Sequence, residues 1–345
     1  MLNSVLLENK MNYNILLLII TSVATAFAAL PLKSDGCGKS VSVIPGVSTN
    51  MTVMFEGEDR FYRLHLPSKY NVNIAYPVLY FHHGYGETAS AIATEAMTGL
   101  SDLSDINDFI VIYPEALTLI QNGVDTGIKA WGFPSCNDVP NNDTCTSPWS
   151  GYSKDDCTSN ICEYCTCNND TEFIDHLMDV IEDTYCIDLR RNYVSGFSQG
   201  GVFTHHLSCI LGGRIAAIAP THGQQHRGFN CAPTTSRVSI MHTWGTQDQW
   251  VPADGKISSD KYYYLSASDV VNEWTTAQGC GTNPMLYPTV LTRKGFSCTE
   301  YDSCTTGSTV VSCSWIGGHW WPTNNPSDIT EFSREMITFL LSQSK

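Results

Sequence analysis

Short, continuous apolar runs recur along the chain with helical stretches between them, and that alternation leaves few folds open. The runs lie at Phe61–Leu66, Val78–Phe81, Phe109–Tyr113, Tyr193–Ser195, Ile215–Ala219, Val238–His242 and Val310–Ile316. Strands apolar on both faces belong in a sheet covered on both sides. Between them, Phe173, Ile174, Leu177, Met178 and Ile181 share one face of a helix running to about Tyr185, with Asn169 or Asp170 as its cap. Ile329, Phe332, Met336, Phe339 and Leu340 mark a last helix, for which Asp328 and Glu331 resemble a capping box. Strands alternating with helices predict an α/β protein with a doubly wound, mostly parallel sheet in one domain.

The first residues predict a secretory leader. Polar Asn12–Asn14 leads into an apolar run, Ile15–Ile20, and small residues end at Ala26-Phe27-Ala28-Ala29. This is the layout of a signal peptide over 1–28, with Met11 an alternative start; the run is shorter than the ~20 residues that span a bilayer. Removing 1–28 takes away Glu8 and Lys10, so the mature part, 29–345, keeps the net charge of −15 and all 14 cysteines. An even number of cysteines in a secreted chain reads as disulfides. Cys162-x-x-Cys165-x-Cys167 also has the spacing of a zinc knuckle, but an oxidising compartment favours disulfides, so no metal is expected. Sequons at Asn50, Asn142 and Asn169 are candidate glycosylation sites. The acidic balance argues against nucleic acid or an anionic membrane as partner. No obligate protein partner is evident.

From Trp131 to Asn169 the rhythm stops. This stretch is rich in Cys, Asn, Asp, Ser and Pro, and six cysteines fall in it. It reads as a disulfide-stapled insertion over a binding site.

The densest chemical signal is Gly196-Phe197-Ser198-Gln199-Gly200, with a strand before it and an apolar helix, Val202–Leu211, after it. Gly-x-Ser-x-Gly alone is weak, but strand–turn–helix is the context of a nucleophile elbow. A serine nucleophile needs a base, and the base an orienting carboxylate. Asp248 follows the strand ending near Thr243, where parallel sheets place their sites. Asp254 and Asp260 lie farther from that strand and read as solvated loop carboxylates. His319 follows the last strand through Gly317-Gly318 and is the candidate base. His205, His206, His222, His226 and His242 lack such a position. For the oxyanion, the N–H groups of Gln199 and of Tyr85, in His82-His83-Gly84-Tyr85-Gly86, are the candidate donors. His82 and His83 read as a polar strand end that orders this loop. Trp131, Trp244, Trp250, Trp320 and Trp321 fall in or beside the site loops, and Trp131, Trp250 and Trp320 are the candidates for holding a ring of the substrate.

These segments, with Leu79–Gly86, Asp108–Pro114 and the run from Ile181 to Gly201, resemble secreted α/β-hydrolases of the feruloyl esterase and polyhydroxybutyrate depolymerase type. The likeness spans about Tyr62 to Pro322. It implies an α/β-hydrolase fold with Ser198, Asp248 and His319 as triad, no cofactor, and a Cys209–Cys231 disulfide. Gln199 stands where Asn is commoner, Trp320 where Thr is commoner, and the insertion Cys136–Cys167 is longer than usual. The resemblance implies a serine carboxylic-ester hydrolase acting first on feruloyl esters of plant cell-wall polysaccharide, with polyhydroxyalkanoate or other polyester cleavage and acetyl-xylan hydrolysis as alternatives. No linker to a separate substrate-binding domain is visible, which favours feruloyl esters. A non-catalytic α/β-hydrolase-like binding protein remains the reading from a different class; such proteins typically lose the serine or histidine.

Overall fold

A computed structural model describes residues 30–94, 97–121, 123–134, 166–229, 231–289, 295–323 and 330–345. The leader, Asn142 and all of the cysteine-rich insertion from 135 to 165 lie outside the described residues. Pro31–Lys345 forms one compact unit.

Among the described residues, ten strands make one sheet. In chain order they begin β1 (Thr49–Phe55), β2 (Glu58–His65), β3 (Tyr76–His82) and β4 (Ile110–Pro114), then β7 (Ile187–Phe197), β8 (Ile215–Thr221) and β9 (Ser239–Gly245), and end with β10 (Met285–Leu286), β11 (Phe296–Tyr301) and β12 (Val310–Trp315). A separate hairpin joins β5 (Thr118–Gln121) to β6 (Val124–Lys129). The large sheet runs β1-β2-β4-β3-β7-β8-β9-β12-β11-β10. From β4 to β12 neighbours are parallel, while β1, β2, β11 and β10 form antiparallel wings.

Every residue of β3, β4 and β8 is buried. Alternate side chains enter two cores: Val78, Tyr80, Ile110, Ile112 and Ile218 one, Leu79, Phe81, Val111, Tyr113 and Ala219 the other. The helices among the described residues are α1 (Ala89–Ile92), α2 (Leu100–Asn107), α3 (Asp170–Thr184), α4 (Gln199–Ile210), α5 (Ala267–Gln278) and α6 (Glu331–Leu341). Phe173, Ile174, Leu177, Met178 and Ile181 of α3 join the first core with Phe203 of α4 and Trp274 of α5. Leu100 and Leu103 of α2 join the second with Phe332, Met336, Phe339 and Leu340 of α6. Burying each such side chain is worth about 1.5–3 kcal/mol, so the two apolar faces of the strands dictate the two helical layers.

Asn169 caps α3, its side chain accepting from the Glu172 N–H, which leaves Asp170 to turn inward. There Asp170 meets Arg60 at 2.6 Å, accepts the Gly132 N–H at 2.7 Å, and Arg60 lies 3.7 Å over the Phe173 ring. This buried pair ties β2 and α3 to the start of the insertion. The last helix, α6, begins at Glu331 with Thr330 at its cap, so Glu331 is the first helical residue rather than the third that a capping box from Asp328 would make it. Asp328 and Ile329 lie outside the described residues.

Among the described residues, disulfides join Cys37 to Cys186, Cys209 to Cys231, Cys280 to Cys304 and Cys298 to Cys313. Cys298 and Cys313 are directly opposite in the β11–β12 ladder. Cys167, one of the three knuckle cysteines, is also disulfide-bonded, which removes its thiolate from any zinc set. No helix among the described residues is long and apolar enough to cross a membrane.

Candidate active site

The site begins with a turn that only certain residues can make. Ser198 joins β7 to α4 at φ 55°, ψ −122°, a backbone region that side chains rarely occupy and that marks strain held at functional sites. A Cβ on Gly196 would fall 2.5 Å from the Gly200 carbonyl, and one on Gly200 would fall 2.3 Å from the His82 carbonyl oxygen. The two glycines are there because the β3 end packs directly on the elbow.

Ser198 is the N-cap of α4, and its Oγ lies 2.8 Å from His319 Nε2. On the other side of the ring, His319 Nδ1 lies 2.7 Å from Asp248 Oδ2. Asp248 Oδ1 accepts the N–H groups of Trp250 and Val251, both at 2.9 Å. The loops carrying Asp248 and His319 are themselves joined, because Thr246 N–H donates to the Trp315 carbonyl at 2.8 Å and Gln247 N–H to that of Gly317 at 2.9 Å. Burial pushes the Asp248 carboxyl up, but hydrogen bonds from His222 and His319 outweigh it and hold the group well below the usual carboxylate range. The structure thus brings together Ser198, Asp248 and His319, parts of three different strand ends.

His222, set aside on sequence grounds, belongs to the same cluster. It follows β8, is fully buried, and places Nδ1 2.9 Å from the same Asp248 Oδ2. Gly245 makes room for it: a Cβ there would meet His222 Cε1 at 2.8 Å and the Gly317 carbonyl oxygen at 2.6 Å. A histidine directly after β8, the first parallel strand beyond the elbow helix, was the available signal. His222, Asp248 and His319 are also the group whose donor atoms cluster tightly enough to hold a metal ion among the described residues. A metal there would have to replace both imidazole N–H protons now directed at Asp248.

Tyr85 and Gln199, the candidate oxyanion donors, line one cavity with Ser198 and His319. Gln199 opens α4, where first-turn N–H groups have no intrahelical acceptor. Its side chain accepts the Trp131 N–H at 3.1 Å. The loop after β3 presses on the nucleophile, since a Cβ on Gly84 would sit 3.2 Å from Ser198 Cβ. Glu87 Oε2 braces that loop by accepting the Gly84 N–H at 2.8 Å. His83 fixes it further: Nε2 accepts the Ala116 N–H at 3.1 Å, so Nδ1 carries the proton and donates to the Gly84 carbonyl at 2.7 Å. Burial drives His82 to about 3 and His83 to about 4, so both are neutral loop supports.

The cavity, about 240 Å³, is lined by Tyr85, Trp250, Val251, Tyr262 and Tyr264, with Asp260 among them. Asp260 is not a solvated loop carboxylate. Burial raises its pKa, and its carboxylate accepts the Tyr264 hydroxyl at 3.0 Å and the Tyr262 N–H at 3.2 Å. Asp254 is exposed and pairs with Lys256. Among the tryptophans, Trp250 is 52% exposed and faces the cavity. Trp131 is a correction: at 0% exposure, with its indole N–H donating to the His83 carbonyl at 2.8 Å, it supports the loop from beneath and cannot reach a substrate. Trp320 is 54% exposed, edge-on to Trp315, and does not line the cavity. Trp321 is core, packed against Phe81 and Phe332.

Sheet order, elbow and strand-end site define an α/β-hydrolase fold. In agreement, an acetyl xylan esterase from Aspergillus awamori has a solved structure that matches at a TM-score of 0.51 and 13% identity, covering 83% of this chain and 99% of that one. In sequence the chain is similar to feruloyl esterase D of Neurospora crassa, 24% identical over 242 residues, or 68% of this chain and 67% of that protein. It is also similar to feruloyl esterase B of Piromyces equi, 29% identical over 167 residues. That alignment takes 46% of this chain and only 30% of the longer Piromyces protein. No family model matches the chain.

Proposed function

We propose that the chain is a secreted serine carboxylic-ester hydrolase acting on hydroxycinnamoyl esters of plant cell-wall polysaccharide. The observation that carries this reading is the hydrogen-bonded series from Ser198 Oγ through His319 to Asp248, at 2.8 and 2.7 Å, opening on an aromatic-lined cavity.

In this reading His319 Nε2 takes the Ser198 proton as Oγ attacks the ester carbonyl. Asp248 holds the ring with its proton on Nδ1 and stabilises the imidazolium that forms. The N–H groups of Gln199 and Tyr85 bind the oxyanion, each such donor being worth roughly 2.7–4 kcal/mol in the transition state. His319 then protonates the departing alcohol and activates water to hydrolyse the acyl-enzyme. The substrate's flat aryl group lies against Tyr85, Trp250, Tyr262 and Tyr264, and an acetyl group would leave most of that cavity unfilled. The names of the similar proteins support a feruloyl ester, with acetyl-xylan and polyester cleavage as competitors. Residues 1–28 serve as the leader and 29–345 as the catalytic domain; the disulfides among the described residues fit an extracellular site.

Purified protein is expected to hydrolyse p-nitrophenyl acetate, and Ser198→Ala to lower kcat by about 10⁴-fold or more. Equal rates for the two proteins would sink the triad. Methyl ferulate is expected to turn over faster than a short hydroxybutyrate oligomer; the reverse order would make polyester cleavage the better reading.

A further inference from the structure

His222 has no part in the proton transfers above, yet its position is built at some cost. Its backbone sits at φ 51°, left-handed for a non-glycine residue, and its N–H donates to the Thr243 carbonyl at 2.9 Å. Phe197 and Trp315 meet its ring edge-on, with centroids 5.8 and 5.7 Å away. Its Nε2 is buried with no hydrogen-bond partner among the described residues, so the ring's polar contact is made through Nδ1. That contact falls on Asp248 Oδ2, the oxygen that also accepts the Nδ1–H of His319.

Resting on the ester-hydrolase reading, we propose that His222 is a positioning residue that limits, through the shared oxygen of Asp248, how strongly that carboxylate holds the Nδ1 proton of His319. A carboxylate oxygen that accepts a second N–H has less negative charge to offer the first. Oδ1 is already held by two backbone N–H groups, so the carboxylate stays in place without His222 and its charge falls more fully on His319. His222 can act in this way because it remains a neutral donor: burial lowers its pKa, against the pull of Asp248. The charge that His319 takes up also opposes protonation of His222, and His242 of β9 is itself kept neutral, lowered to about 3 chiefly by burial. Two further carboxyls are electrostatically coupled to His319: Glu87, from the loop after β3, and Asp260, from the cavity wall.

The test is the pH profile of kcat/KM with p-nitrophenyl acetate for wild type, His222→Ala and His222→Asn. Asn suits a left-handed backbone and places an amide N–H near the Nδ1 position. The acid limb of His222→Ala is expected to move up by about half to one pH unit, and that of His222→Asn to lie near wild type. A His222→Ala limb that coincides with wild type or moves down, or Asn and Ala limbs that coincide, would overturn the proposal. Should His222→Ala fail to fold, nitrogen-15 NMR of the wild type decides: both His222 and His319 are expected as Nδ1–H tautomers near neutral pH, and His222 protonated on Nε2 alone would overturn it. The Ser198→Ala control separates the failures. If that variant keeps full activity the triad reading is wrong, whereas if it is inactive and the His222 limbs do not shift, the positioning role alone is wrong.

Discussion

Replacing Asp248 with asparagine is expected to lower kcat about 10⁴-fold with little change in KM. The size of the effect follows from which way the amide must face. Asp248 Oδ1 accepts two backbone N–H groups, from Trp250 and Val251. An asparagine keeps those bonds by placing its carbonyl oxygen there, and its NH₂ then occupies the Oδ2 site. That NH₂ points at His319 Nδ1 and His222 Nδ1, both of which donate to the carboxylate. Two donors face one another unless each ring moves its proton to Nε2. With Nε2 protonated, His319 can no longer accept the Ser198 proton. Steady-state kinetics of Asp248→Asn check the rate, and a kcat within tenfold of wild type would contradict the assignment of Asp248 as the orienting carboxylate.

Acid is expected to destabilise the fold well above the carboxylate range. Burial lowers His82 and His242 to about 3 and His83 to about 4, and lowers His205 and His222 as well. In the unfolded chain these rings take protons near pH 6.5. Below that pH the unfolded state binds protons that the folded state refuses, so stability falls as pH falls. Each of His82, His83 and His242 can contribute up to about 1.4 kcal/mol per pH unit between roughly 6.5 and its folded value. Asp248 shifts in the same direction but over a lower range: its pKa is held down in the fold, so its stabilising contribution is present above the ordinary carboxylate value and lost only below about pH 4. Urea unfolding under non-reducing conditions at pH 7, 6 and 5 is expected to show midpoints dropping at each step. Midpoints that stay level over that range would mean the buried histidines are protonated in the fold.

What the sequence revealed of this site depended on how local each signal is. Ser198 could be found because the elbow's glycines, its strand and its helix are contiguous, and Asp248 and His319 because each follows a strand whose apolar run is visible. The six parallel strands from β4 to β12 were legible for the same reason, being apolar on both faces. The wings were less so: β1 alternates half-buried and exposed residues, and β10 is two exposed residues long. The misread residues are those whose role is set by distant neighbours. Trp131 is loop support because its backbone meets Gln199, 68 positions away, and its indole meets His83. His222 reaches Asp248 only because β8 and β9 are adjacent in the sheet. Asp260 turns inward because Tyr262 and Tyr264, also on the cavity wall, bond to it. None of these contacts leaves a periodicity in the chain.

The central claim is that Ser198 forms the acyl-enzyme. A fluorophosphonate probe reacts with a serine only where a base and an oxyanion site activate it, and peptide mass spectrometry then reports which residue carries the adduct. The account predicts a single adduct, on Ser198, formed by wild type and lost in His319→Ala. An adduct on another residue, or an equal yield from the His319 variant, would contradict it.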